Sequence, residues 1–133
     1  MKQMLLPALL VFIIASCDKP VESLDYISPS IKLYQCVDTN LNGTTVQLCF
    51  DSLIQDSRCP STATCIWQGE ATVKVSLKVN GRKESFNLST LNQRPDYRND
   101  TTISGYNIKL LMVNPYPGSQ SQDPCTIQLS VHR

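Results

Sequence analysis

From about residue 31 onward, apolar and polar side chains alternate one by one along much of the chain. The clearest run is 70–79, where Ala71, Val73, Val75, Leu77 and Val79 alternate with Thr72, Lys74, Ser76 and Lys78. A period of two marks a strand with one face on a core. Asn80-Gly81 then gives a two-residue hairpin signal leading into 82–90. A turn there makes facing positions sum to 161, so Val75 meets Phe86 and Val73 meets Leu88. The two apolar faces agree, whereas a one-residue slip would oppose them. Asn42-Gly43 predicts the same geometry between 31–38 and 44–51, with a sum of 85 that pairs Val37 with Leu48, Thr39 with Val46 and Cys36 with Cys49.

Three further strands are expected. They are 101–104, 106–113 with Ile108, Leu110 and Met112 on one face, and 125–132 with Ile127, Leu129 and Val131 inward. The polar segment 91–99, with Pro95, and the segment 114–124, with Pro115, Pro117, Gly118 and Pro124, read as loops. About seven short strands with no helical period predict an all-β fold. The architecture expected is a single antiparallel β-sandwich, immunoglobulin-like and stapled by disulfides, in preference to a barrel.

The stretch 56–71 interrupts this pattern. Cys59 and Cys65 close a small ring, with the only tryptophan, Trp67, two residues beyond it and Gly69 before the longest strand. A Cys59–Cys65 disulfide closes a loop of about 7 residues and contributes roughly 2.4 kcal/mol. Gly69 is expected to relieve a tight backbone approach or a bulge. Two readings of this clasp are open. In the structural one the indole packs beside the disulfide and closes one end of the fold, as in immunoglobulin-type domains, and Arg58 pairs with Glu70 across the loop mouth. In the functional one Arg58, Trp67 and Glu70 are offered to a partner on a rigid knob.

The residues Asp56-Ser57-Arg58-Cys59-Pro60, Cys65, Trp67, Gly69-Glu70-Ala71 carry a resemblance. They are similar to an uncharacterised family of small exported bacterial proteins and lipoproteins with a D-S-R-C-P-x4-C-x-W-x-G-[EN]-A signature. The later Pro115-Tyr116-Pro117 also resembles that family, so the likeness covers about residues 45–133. Cys36, Cys49 and Cys125 depart from its pattern. The resemblance implies an exported unit and no particular activity.

The other cysteines are less constrained. A Cys36–Cys49 bridge falls on a non-hydrogen-bonded rung, where Cα atoms approach to about 4.5 Å, at the short end of the disulfide range. Its loop of about 14 residues contributes about 3 kcal/mol. Cys36–Cys125 and Cys49–Cys125 compete with it, and the odd number of cysteines beyond Cys17 leaves one thiol over.

The front of the chain concerns export. Lys2 precedes an apolar run from Met4 to Ala15 that ends Ile14-Ala15-Ser16-Cys17. That run is too short to span a bilayer and suits a signal peptide, and its end resembles a bacterial lipobox. The expected organisation is a lipoprotein signal peptide over 1–16, an acylated Cys17 with a flexible tether to residue 30, and the β-domain over 31–133. Acylation with two or three chains anchors stably, which places the protein in the bacterial cell envelope, at either membrane. Of the 12 basic residues, removing Lys2 leaves the mature chain balanced against its 11 acidic ones. Without a basic stripe nucleic acid is not an expected partner.

Candidate chemistry is sparse. The single histidine, His132, is next to the last residue, so neither a histidine triad nor a histidine-rich metal site is expected. No metal or cofactor is expected. Cys59 and Cys65 lack C-x-x-C spacing. Asp51, Asp56 and Glu70 are the carboxylates nearest the clasp and read mainly as turn formers. Tyr116 marks a second candidate surface for a sugar or protein. The expectation is a lipid-anchored binding or structural module that contacts an envelope protein or glycan through 57–70. The alternative is an envelope enzyme or thiol-redox factor using the carboxylates or the unpaired cysteine.

Overall fold

A computed structural model describes residues 25–133, so the expected signal peptide, Cys17 and most of the expected tether lie outside the described residues. Nine strands follow in order: β1 (Tyr26–Ile27), β2 (Ile31–Lys32), β3 (Cys36–Leu41), β4 (Thr44–Asp56), β5 (Ala71–Val79), β6 (Arg82–Ser89), β7 (Asp100–Ile103), β8 (Tyr106–Asn114) and β9 (Thr126–His132). They form two antiparallel sheets, β3-β4-β5-β6 and β1-β9-β8-β7, with β2 also pairing to β9. The result is a disulfide-stapled β-sandwich. Its likeness to immunoglobulin domains is that of two packed antiparallel sheets, and within the first sheet consecutive strands are neighbours, a meander.

Both predicted registers hold. Val37 faces Leu48 and Cys36 faces Cys49, while Val75 faces Phe86 and Val73 faces Leu88. Asn42 and Asn80 sit at φ 52° and 50°, each followed by a glycine at φ 80°. Positive φ at both central positions is the type I′ requirement that selects Asn-Gly.

The inward faces meet in one core. Val46, Leu48 and Phe50 of β4, Val73, Val75 and Leu77 of β5, and Leu88 of β6 pack against Ile108, Leu110 and Val113 of β8 and Ile127, Leu129 and Val131 of β9. Tyr106 and Ile31 complete it. Ser76 and Thr72 of β5 are buried as well, although they belong to the outward phase. Cys49 is the cross-strand neighbour of Ser76, so the Cys36–Cys49 disulfide lies on the outer face of the sheet and shields it. Ser76 Oγ–H donates to Asp51 Oδ1 at 3.1 Å, which satisfies the buried hydroxyl.

Three expectations about the strands need correction. Residues 31–38 are not one strand: a turn carries Tyr34 at φ 65° and separates β2 from β3. The register of β8 against β9 shifts between Leu110 and Met112. Ile108 and Leu110 face inward as expected, but the bulge sends Val113 inward in place of Met112, which is turned out. The expected tether also overlaps the domain: β1 pairs with Val131 and Ser130, and buried Ser28 accepts a bond from the Leu129 N–H at 3.0 Å.

The sandwich has two distinct ends. The turns 42–43, 80–81 and 104–105 close the strands at one of them, where Ser104 Oγ–H donates to Glu84 Oε1 at 2.8 Å. Residues 57–70, 90–99 and 115–125 make up the other.

Candidate functional site

The clasp begins where β4 runs past its partner. Two register shifts in β4, around Asp51 and Ile54, let it reach Asp56 opposite Ala71. Beyond that pair, Ser57 N–H donates to the Glu70 carbonyl at 2.8 Å. The Ser57 hydroxyl donates to the same carbonyl and accepts from the Glu70 N–H, both at 3.1 Å. The two legs of the loop are thus drawn together at its neck. Gly69 sits in that neck, and a Cβ there would collide with the Ser57 carbonyl. The close approach expected of Gly69 is therefore present, and no other residue fits without moving the backbone.

Arg58 fixes the loop to the rest of the domain. It is buried at 6% exposure. Its Nε and Nη2 donate to the two Asp56 oxygens at 2.8 and 2.7 Å. Nη1 donates to the Val113 carbonyl at 2.7 Å and Nη2 to the Pro115 carbonyl at 3.1 Å. The guanidinium also lies 4.2 Å from the centre of the Tyr116 ring. These carbonyls lie near the end of β8 and one residue past it, beyond Lys109, the last residue to pair with β7. The planar fork thus supplies donors there in place of a neighbouring strand. Ser61 N–H adds a bond to the Pro117 carbonyl at 3.1 Å, so the clasp and the 115–118 segment are held together.

Glu70 is equally committed. Ser89 Oγ–H donates to its Oε2 at 2.8 Å and Gln55 Nε2 to its Oε1 at 3.1 Å. Arg94 approaches Oε1 at 3.4 Å. The expected Arg58–Glu70 pair is absent: each charge is held by partners on its own side of the loop. Among the described residues every buried side-chain polar atom has a hydrogen-bond partner, so Arg58 and Glu70 serve the framework rather than offering free groups to a ligand.

The disulfides are Cys59–Cys65 and Cys36–Cys49, the latter with Cα atoms 4.0 Å apart. Among the described residues Cys125 is the free thiol, half-buried. Burial pushes its pKa up and the Asp56 carboxylate adds to this, while Arg58 pulls the other way.

Trp67 overturns its structural expectation. It is 81% exposed and Ile66 is 91% exposed, so the indole does not pack into the fold beside the disulfide. The loop's contacts with the fold are made instead by its other leg, where Arg58 holds the Val113 and Pro115 carbonyls and Pro60 lies near Gly118. The tip therefore carries two adjacent large apolar side chains outward. Two open grooves flank it. One, of about 650 Å³, is lined by Cys65, Ile66, Trp67, Leu91, Gln93 and Arg94 among others. A smaller one, of about 260 Å³, lies between Gln68, Leu91, Leu111, Met112 and Tyr116. Leu111, Met112 and Tyr116 are all exposed.

The sequence-predicted residues thus separate into two groups. Trp67 and Tyr116 are on the surface at the clasp end, and Arg58 and Glu70 are buried beneath them. Sequence reasoning missed Ile66, Leu91, Leu111 and Met112. Ile66 was legible as an apolar neighbour of Trp67 directly after the disulfide ring. No protein-family model matches the chain, and no match was found among curated proteins or solved structures.

Proposed function

We propose that this chain is a lipid-anchored recognition module of the bacterial cell envelope, with Ile66 and Trp67 as its contact residues and Tyr116 at the margin. The observation that supports this reading is a tryptophan left in water on a loop whose conformation is over-determined. The Cys59–Cys65 bridge, the Gly69 neck and the Arg58 fork all restrict the loop. Holding a large aromatic in water has no folding benefit, whereas a pre-ordered aromatic lowers the ordering cost of binding. Trp is also among the residue types that dominate binding energy at interfaces.

The test compares the wild-type protein with Trp67→Ala, both checked by circular dichroism and thermal melting, for capture of a ligand from envelope extract. Labelling with radioactive palmitate, in wild type and Cys17→Ala, tests the anchor separately. The reading expects label lost with Cys17→Ala, and capture lost with Trp67→Ala at unchanged stability. Equal capture by both proteins would remove the clasp from the reading.

A further inference from the structure

The larger groove beside the tip, of about 650 Å³, is not an apolar slot. Trp67 lines it, and so do Thr64, Gln68 and Gln93. All three of these polar side chains are exposed, so their donors and acceptors are open to a ligand. The charged groups of this lining are Glu70 and Arg94. They approach each other at 3.4 Å, and Glu70 is held further by Ser89 and Gln55. The smaller groove shares Gln68 and Leu91 with the first and reaches Tyr116. A third, of about 520 Å³, shares Asn114 and Tyr116 with the second and adds Ser119 and Thr126. Tyr116 has the Arg58 guanidinium over its ring at 4.2 Å and is still 45% exposed.

This lining sorts the classes of ligand. A phosphate or another anion is held by cations or clustered N–H groups, and the cation beside Trp67 already has a carboxylate partner. An extended peptide gains affinity by pairing with a free strand edge, and an amphipathic helix by an apolar groove. The β8 edge beside the smaller groove has its Val113 carbonyl taken by Arg58, as is the Pro115 carbonyl just past it. A sugar ring needs a flat aromatic wall for its C–H face and neutral groups for its hydroxyls. A carboxamide both donates and accepts, so Gln68 and Gln93 match hydroxyl groups in either role. Few polar groups beside an aromatic wall is also the usual make-up of a small-molecule site. Two exposed rings on adjoining grooves suit a chain of sugars better than a single one.

We infer that the adjoining grooves at the clasp end bind a neutral oligosaccharide. Trp67 and Tyr116 are its stacking platforms, and Gln68 and Gln93 bond its hydroxyls. This rests on the recognition reading and names its ligand class. The probes are chitohexaose, cellohexaose and maltohexaose, added to the full-length protein in a detergent without a sugar headgroup. Trp67 is the only tryptophan, so its emission reports the site directly. At least one hexasaccharide is expected to shift that emission saturably and protect it from acrylamide, equally at low and high salt. The matching disaccharide is expected to bind more weakly, and Tyr116→Ala to erase the difference. By calorimetry, Gln68→Ala combined with Gln93→Ala is expected to weaken binding about tenfold or more at an unchanged urea midpoint, and Trp67→Ala to abolish it. No binding of any probe at millimolar concentration, a disaccharide bound as tightly, affinity untouched by these variants, or affinity that falls steeply with salt would each overturn the inference. Capture of an envelope component through Trp67 without sugar binding would remove this inference and leave the recognition reading standing. Loss of both would remove both.

Discussion

Replacing Arg58 with alanine removes four side-chain hydrogen bonds, two to Asp56 and one each to the Val113 and Pro115 carbonyls. It also leaves the Asp56 carboxylate, at 16% side-chain exposure, without its counter-charge. Breaking a buried pair by deleting one partner costs about 3–5 kcal/mol, because the remaining charge stays desolvated. For a domain near 100 residues each kcal/mol moves the midpoint by about 4–8 °C, so Arg58→Ala is expected to lower Tm by at least about 12 °C. Arg58→Lys keeps the charge but not the fork, and falls between the two. Asp56→Ala combined with Arg58→Ala removes the stranded carboxylate and is expected to be less harmful than the separate costs added together. The assay is urea unfolding followed by far-ultraviolet circular dichroism, since an exposed indole is a poor reporter of folding. A loss below about 1 kcal/mol for Arg58→Ala, the range of exposed ion pairs, would refute the reasoning.

Other expectations follow from the same geometry. Gly69→Ala puts a methyl group into the Ser57 carbonyl and is expected to destabilise by about 2 kcal/mol or more, read as a lower urea midpoint; an unchanged midpoint would contradict the tight neck. Replacing both Cys36 and Cys49 by serine should cost about 3 kcal/mol from the lost loop constraint, checked by the same titration. The raised Cys125 pKa favours the thiol in the folded state. Its stabilising contribution is therefore full below the unfolded thiol pKa of about 8.5 and is lost as pH rises through the folded value. At pH 8.5, iodoacetamide should modify Cys125 more slowly in the folded protein than in urea; equal rates would contradict this.

Much of the sheet structure was legible in the sequence because its determinants are local. Asn42-Gly43 and Asn80-Gly81 each dictate a turn, and a two-residue turn fixes every facing pair beyond it. The Cys36–Cys49 bridge was allowed by that arithmetic, although Cys125 remained a competitor for either partner until the structure showed Cys36 bonded to Cys49 and Cys125 free. Where determinants were distant, the reading failed. Nothing near Met112 signals the bulge that turns it outward, since the shift depends on how β8 meets β9. Arg58 looked like a surface residue because its carbonyl acceptors lie 55 and 57 positions away. For Trp67 the sequence left a packed and an exposed reading open, and the structure favours the exposed one, because the loop is tied down through Arg58 rather than through the indole. The framework of the site was thus invisible, while the residues it displays could be named.

The central claim is that the clasp holds its indole in water as a preformed contact. Acrylamide quenching of the folded domain tests it most directly, because Trp67 is the only tryptophan. The account predicts quenching close to that of the urea-unfolded chain and little change in emission maximum on unfolding. A protected, blue-shifted emission that moves to the red on unfolding would show a buried Trp67, and the recognition tip would lose its basis.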